Sequence, residues 1–168
     1  MWLFRIAVYL SVALFLAGCG FKPLYGNREG SILLQELASI ELAPLRGIIG
    51  VQLHNTLHDN LRPNPDRARY YLSIEYDKAN YALITAKDSQ IRRYTMILTV
   101  RYRLTEIVSK TQVKNGHTSA QASYSVIEDN AYATFIAEEE ASLRAAKQVG
   151  YQLTNILSFH FSDDNKSP

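Results

Sequence analysis

The 168 residues carry 18 lysines and arginines against 16 aspartates and glutamates, a formal charge of +2, with 47% hydrophobic and 20% charged side chains. That is enough for one domain with a real core and too short for two comfortable ones, and so small a net charge excludes the dense basic stripe of a general nucleic-acid binder. Eleven tyrosines and six phenylalanines against one tryptophan favour sheet over helical bundle, because aromatic side chains fit a pleated surface.

The chain starts with a segment of different character. Arg5 is the only charge before Cys19, and Ile6 to Leu16 is an almost unbroken apolar run ending at Ala17-Gly18. A charged start, a short apolar stretch and small residues describe a secretory signal peptide over residues 1–18. A transmembrane helix needs about 20 apolar residues, and this run is much shorter. Leu16-Ala17-Gly18-Cys19 resembles the bacterial lipobox. Small residues let the backbone lie extended in a peptidase cleft, and the thiol is the one side chain here able to carry a thioether-linked diacylglycerol. Cys19 is therefore expected to be the lipidation site and the first residue of the mature protein. Two or more acyl chains, at about 0.8 kcal/mol per buried CH₂, hold a protein on a membrane. With no second cysteine, the exported domain must stand without disulfides. Gly20 occupies the position where an aspartate commonly retains such lipoproteins at the inner membrane, which points to the outer membrane.

Residues 19–30, with Pro23 and several glycines, read as an acylated tether. Ala38, Ile40 and Leu42 alternate with Ser39 and Glu41 as a short first strand. From Gly47 to Arg62 the period changes. Ile49, Leu53, Leu57 and Leu61 recur every four residues on one helix face, and Pro63 and Pro65 end it. Tyr70, Leu72, Ile74 and Tyr76 then alternate with Tyr71, Ser73, Glu75 and Asp77 as a half-buried strand. Lys87-Asp88-Ser89-Gln90 makes a polar turn.

The third strand is the clearest. Tyr94, Met96, Leu98, Val100, Tyr102 and Leu104 share one face; Arg93, Thr95, Thr99, Arg101 and Arg103 share the other, with Ile97 among them. Asn115-Gly116 predicts a hairpin turn. Beyond it Ala120, Ala122, Tyr124 and Val126 alternate with Ser119, Gln121, Ser123 and Ser125. Asn130 is a candidate N-cap for a long last helix, with Glu138-Glu139-Glu140 expected near its start as solvated charges favoured by the helix dipole. Phe135, Ala146, Val149, Leu153, Ile156 and Leu157 form its apolar stripe, and Gly150 within it permits close approach to a sheet. Residues 162–168 are a polar, flexible tail.

Every strand has one apolar and one wet face, and there are two helices. The fold class is therefore α+β: a two-layer sandwich in which a four-stranded, mostly antiparallel sheet carries two helices on one face, in the order β-α-β-β-β-α, over residues 31–161. The open sheet face is rich in Ser, Thr and Arg.

Little in this chain points to catalysis. His54 and His58 lie one helical turn apart with Asp59 beside them, but no third ligand is placed by spacing, so no metal is expected. There is no nucleophile elbow and no phosphate-cradling glycine loop, so neither an enzyme activity nor a cofactor is expected. Lys87, Arg92 and Arg93 gather at one end of the second and third strands, with Arg101, Arg103, Lys110 and Lys114 following. They read either as a solvated strand face, where cations discourage edge pairing, or as a site for phosphates, which guanidinium groups match bidentately.

Cys19-Gly-Phe-Lys-Pro-Leu-Tyr-Gly26, the strand Tyr94–Val100 (YTMILTV), and Tyr124 to Ala141 with Asn130, Tyr132 and Ala133 before an acidic helix start, in this order, resemble the LptE family of lipopolysaccharide-assembly lipoproteins. The resemblance implies a non-enzymatic protein on the periplasmic side of the outer membrane, held by its lipid anchor. It implies that the protein plugs the β-barrel LptD, assists its assembly and helps deliver lipopolysaccharide to the outer leaflet. A Ser/Thr-rich sheet face suits a hydrated barrel wall. Lipopolysaccharide contact falls in that family to basic side chains near strand ends, which makes Lys87, Arg92 and Arg93 the candidates here. The alternative from a different class is a free-standing periplasmic lipoprotein that binds amphiphiles or serves another envelope complex. It would require an enclosed apolar pocket between helices and sheet.

Overall fold

A computed structural model describes residues 28–83, 91–127 and 130–164. The signal peptide, Cys19 with the tether to residue 27, Lys87 and the Lys87–Gln90 turn lie outside the described residues. The chain divides into two units, Met1–Ile32 and Leu33–Pro168, and the second holds the sheet. In chain order the elements are α1 (Arg28–Ala38), β1 (Ile40–Leu42), α2 (Gly47–Leu61), β2 (Tyr70–Leu83), β3 (Ile91–Glu106), β4 (Gln112–Ile127) and α3 (Ala131–Asp164), with a short 3₁₀ turn at Pro65–Arg67. The sheet order is β1-β2-β3-β4. β1 pairs with β2 in parallel, Ile40 opposite Tyr70, and the three long strands form an antiparallel meander. This is the expected α+β sandwich with one addition, the helix α1. Its Leu33 and Leu37, one turn apart, are buried in the core, and Ala38 ends α1 instead of opening β1.

The alternation read from the sequence decides which face is covered. Leu72, Met96, Leu98, Val100 and Leu104 are fully buried on one side, where they meet Leu53 and Leu57 of α2 and Val149, Leu153 and Leu157 of α3. Each such side chain contributes about 1.5–3 kcal/mol by leaving water. Ser73, Glu75, Arg101, Arg103, Ser119, Gln121 and Ser123 point the other way, and no helix lies over them among the described residues. α2 ends as expected: Arg62 adopts a left-handed conformation (φ 51°), donates its N–H to the His58 carbonyl at 2.9 Å, and Pro63 follows. At the other end of α2, Tyr76 donates its hydroxyl to the Arg46 carbonyl at 2.7 Å, tying the helix start to β2.

Four further expectations are corrected. The β3–β4 hairpin does not turn at Asn115-Gly116; both residues lie inside β4, opposite Arg103 and Tyr102. The turn is Glu106–Thr111, closed by Glu106 N–H to the Thr111 carbonyl (2.9 Å) and Lys110 N–H to the Glu106 carbonyl (3.0 Å), with Lys110 at φ 58°. The glycine serves packing: a Cβ on Gly116 would sit 2.7 Å from the Tyr102 hydroxyl, so the ring occupies the space a side chain would need. Second, the Glu138–Glu140 run is not in the first turn of α3. Asn130 caps that helix, its Oδ1 accepting from Ala133 N–H at 2.9 Å, which places Glu138 two turns inside. Third, Phe135 leaves the buried stripe and is 61% exposed, while Ala141, Ala145 and Phe161 join it. Fourth, Gly150 does allow a close approach, but of α2 instead of the sheet: a Cβ there would lie 2.7 Å from Thr56 Cγ2.

Candidate functional site

The uncovered face of the sheet carries an ordered polar surface. Strand register sets side chains in rungs across β2, β3 and β4: Ser73–Arg103–Asn115, then Glu75–Arg101–His117. The two rungs line an open hollow of about 330 Å³. Its charges are loosely held, Arg101 Nε standing 4.0 Å from Glu75 Oε2 with both side chains well exposed. Farther along the same face Thr95 and Ser123 hydroxyls meet across the strands at 3.2 Å. The result is a hydrated surface of hydroxyls, amides and a few mobile charges that can exchange water for polar groups on another wall.

The basic strand end is described in part. Arg93 is exposed on the open face, opposite Leu83 of β2 and Ser125 of β4. Arg92 is in register with Val126, its side chain lying outside the described residues, as does Lys87. Arg101 and Arg103 lie farther down β3 within the hollow, Lys110 is in the hairpin turn, and Lys114 is opposite Leu104.

What the sequence reading missed is the apolar character of that same end. α3 runs back along β4: Gln152 accepts from the Thr118 hydroxyl at 2.7 Å, and Arg144 donates to the Ser123 carbonyl at 3.2 Å. One turn and a half earlier, Glu138 accepts from Lys78 Nζ at 2.8 Å and Asn80 Nδ2 at 3.0 Å. These contacts carry the start of α3 to the end of the sheet where Leu83, Arg93 and Ser125 align. There Tyr132 (76% exposed), Phe135 (61%) and Ile136 (43%) stand one turn apart, with Tyr81 (56%) on β2. Phe135 had a legible signal, its three-residue spacing from Tyr132, but the same residue also fits the core stripe.

Two carboxylates are tuned by their partners. The Lys78 ammonium, and after it the Asn80 amide, hold the Glu138 carboxyl below its ordinary range. Glu106 is likewise lowered, first by the Ser109 hydroxyl at 2.6 Å and then by Arg69, whose Nε is 3.2 Å away. Both are structural ties, one of α3 to β2 and one across the hairpin turn. The two histidines of α2 stack with ring centroids 6.3 Å apart, and His58 Nδ1 is 4.0 Å from Asp59. Among the described residues, no three His, Cys, Asp or Glu side chains come together as a metal cluster would. Among them, too, no helix is long and apolar enough to cross a membrane.

No family model matches the chain. An uncharacterized protein of Rickettsia prowazekii (strain Madrid E) is 25% identical over 146 residues, 87% of this chain and 90% of that protein. Among solved structures, a candidate lipoprotein of Caulobacter crescentus CB15 matches with a TM-score of 0.64 at 22% identity, over 81% of this chain and 98% of its own. The minor lipoprotein of Acinetobacter baumannii matches with a TM-score of 0.54 at 19% identity, over 73% of this chain and 90% of its own. The sandwich is therefore a fold shared with both.

Proposed function

We propose that the chain is an outer-membrane lipoprotein, anchored through Cys19, that seats its polar sheet face against a β-barrel of the LptD kind and helps pass lipopolysaccharide to the outer leaflet. The observation that carries this reading is exposed Arg93 of β3 beside exposed Tyr81 of β2 at one strand end of the open face, with Tyr132, Phe135 and Ile136 also exposed in the first two turns of α3. A phosphorylated, acylated glycolipid presents anionic groups beside hydrocarbon, and a surface that handles it needs a cation beside apolar area. The solved proteins of this fold described as lipoproteins support the anchor. The space between helices and sheet, where an amphiphile-binding alternative needs a pocket, is occupied by Leu53, Leu57, Met96, Leu98 and Val100, all fully buried.

Two measurements test the proposal. Mild detergent extraction of native membranes should recover the chain together with a large β-barrel; recovery of the chain alone contradicts the reading. Reversing Arg92 and Arg93 to glutamate should weaken lipopolysaccharide binding by the purified chain while barrel association persists. Unchanged binding would reduce the strand end to a solvated face.

A further inference from the structure

The outer edge of β4 is built unlike an ordinary protected edge. Folded proteins blunt such edges with charges, prolines or bulges, because unpaired N–H and C=O groups template another strand. On the opposite side of the sheet, the part of β2 that extends beyond its pairing with β1 carries Glu75, Asp77 and Lys78. β4 from Thr118 to Ile127 carries no charge and no proline, and no strand pairs with its outer side among the described residues. Among the described residues, the Arg144 guanidinium covers it at the Ser123 carbonyl.

That bond also sets the phase of the edge. If the Ser123 carbonyl points outward, so do the backbone groups of its alternate neighbours, residues 117, 119, 121 and 125. Their side chains are exposed on the open face. The sequence around the middle of this row reads Ser119-Ala120-Gln121-Ala122-Ser123, the same in both directions. An antiparallel strand entering in register about Gln121 would therefore meet its own sequence: serine opposite serine, alanine opposite alanine, glutamine opposite glutamine. A two-fold contact requires a patch complementary to itself, and this strand is one.

We infer that the chain, when free of other partners, associates with a second copy through β4, paired antiparallel about Gln121 into one continuous eight-stranded sheet. From His117 to Ser125 such a seam forms about ten backbone hydrogen bonds, with a Ser/Gln ladder on the wet face and alanines on the covered face. Arg144 competes for one carbonyl on each side and yields an exposed bond to do so. The inference is independent of the strand-end site and of the barrel reading.

Cross-linking in the full-length, membrane-bound protein, overproduced so that most copies are free of other partners, tests both the partner and the register. In this pairing the two Gln121 Cα atoms stand about 5.5 Å apart, within disulfide reach. The Ser123 residues of the two copies are offset by four residues and stand more than about 13 Å apart, out of reach. Mild oxidation of Gln121→Cys should give a band at twice the monomer mass, and Ser123→Cys should give none. The unsubstituted chain controls for Cys19. Both positions are exposed, so neither change disturbs the fold. Absence of the Gln121→Cys dimer overturns the inference, as does equal cross-linking at both positions. A cross-link from position 121 to a different protein overturns it in favour of that protein's strand.

Discussion

Replacing Gly150 with alanine sets two well-calibrated effects against each other. Within a helix, alanine is favoured over glycine by about 1 kcal/mol. At this position, however, the added Cβ would stand 2.7 Å from Thr56 Cγ2 and 2.9 Å from Thr56 Cβ, against an optimum of about 3.5–4.0 Å for carbon pairs. Thr56 cannot readily turn away, because its hydroxyl donates to the Gln52 carbonyl at 2.8 Å and accepts from Gln52 Nε2 at 3.2 Å. α2 and α3 must move apart by roughly 1 Å, an overpacking strain of about 1–3 kcal/mol. Gly150→Ala should therefore destabilise by about 1 kcal/mol net, read as a lower urea midpoint at unchanged slope. In a Thr56→Ala background, which removes the nearer contact, the same substitution should cost less, with a coupling of at least about 0.5 kcal/mol. Stabilisation by Gly150→Ala in the natural background, at the plain helix-propensity value, would refute the close crossing of α2 and α3.

Two further substitutions probe the ends and ties of the fold. Glu138→Gln should lower stability at neutral pH by about 0.5–1 kcal/mol, a value kept small because the pair is partly exposed. Since the folded carboxyl titrates below its unfolded value, its contribution is fully present above about pH 4.3 and is lost as pH falls through the folded value. The difference between the two proteins in urea unfolding should therefore shrink at about pH 3, and a difference that grows there contradicts the tie to Lys78. Asn130→Ala removes the acceptor for Ala133 N–H and should cost about 1 kcal/mol with fraying at the start of α3; an unchanged unfolding midpoint would remove the cap from the account.

The sequence was most informative where one periodicity ruled a long stretch. Six alternating apolar residues from Tyr94 to Leu104 defined β3 and its buried face, and Ile49, Leu53, Leu57 and Leu61 defined α2, because burial on one face leaves no other register. It was least informative where two local signals competed. Gly30 and the Pro23 region hid α1, whose apolar content is confined to a short face through Leu33 and Leu37. Asn115-Gly116 has the composition of a turn, yet the fit of Tyr102 over Gly116, a contact between strands, keeps it in β4. Of the candidate site, Arg93 and the polar face were legible from alternation alone. The exposed cluster of Tyr132, Phe135 and Ile136 was not, because its exposure follows from how far α3 extends past the ties at Glu138 and Arg144.

Function on this reading begins with a fatty anchor, and the most direct measurement is the mass of the N-terminal peptide from the native envelope protein. Cys19 should be its first residue, carrying a diacylglyceryl thioether. A peptide that retains Met1, or position 19 with an unmodified thiol, would contradict the account.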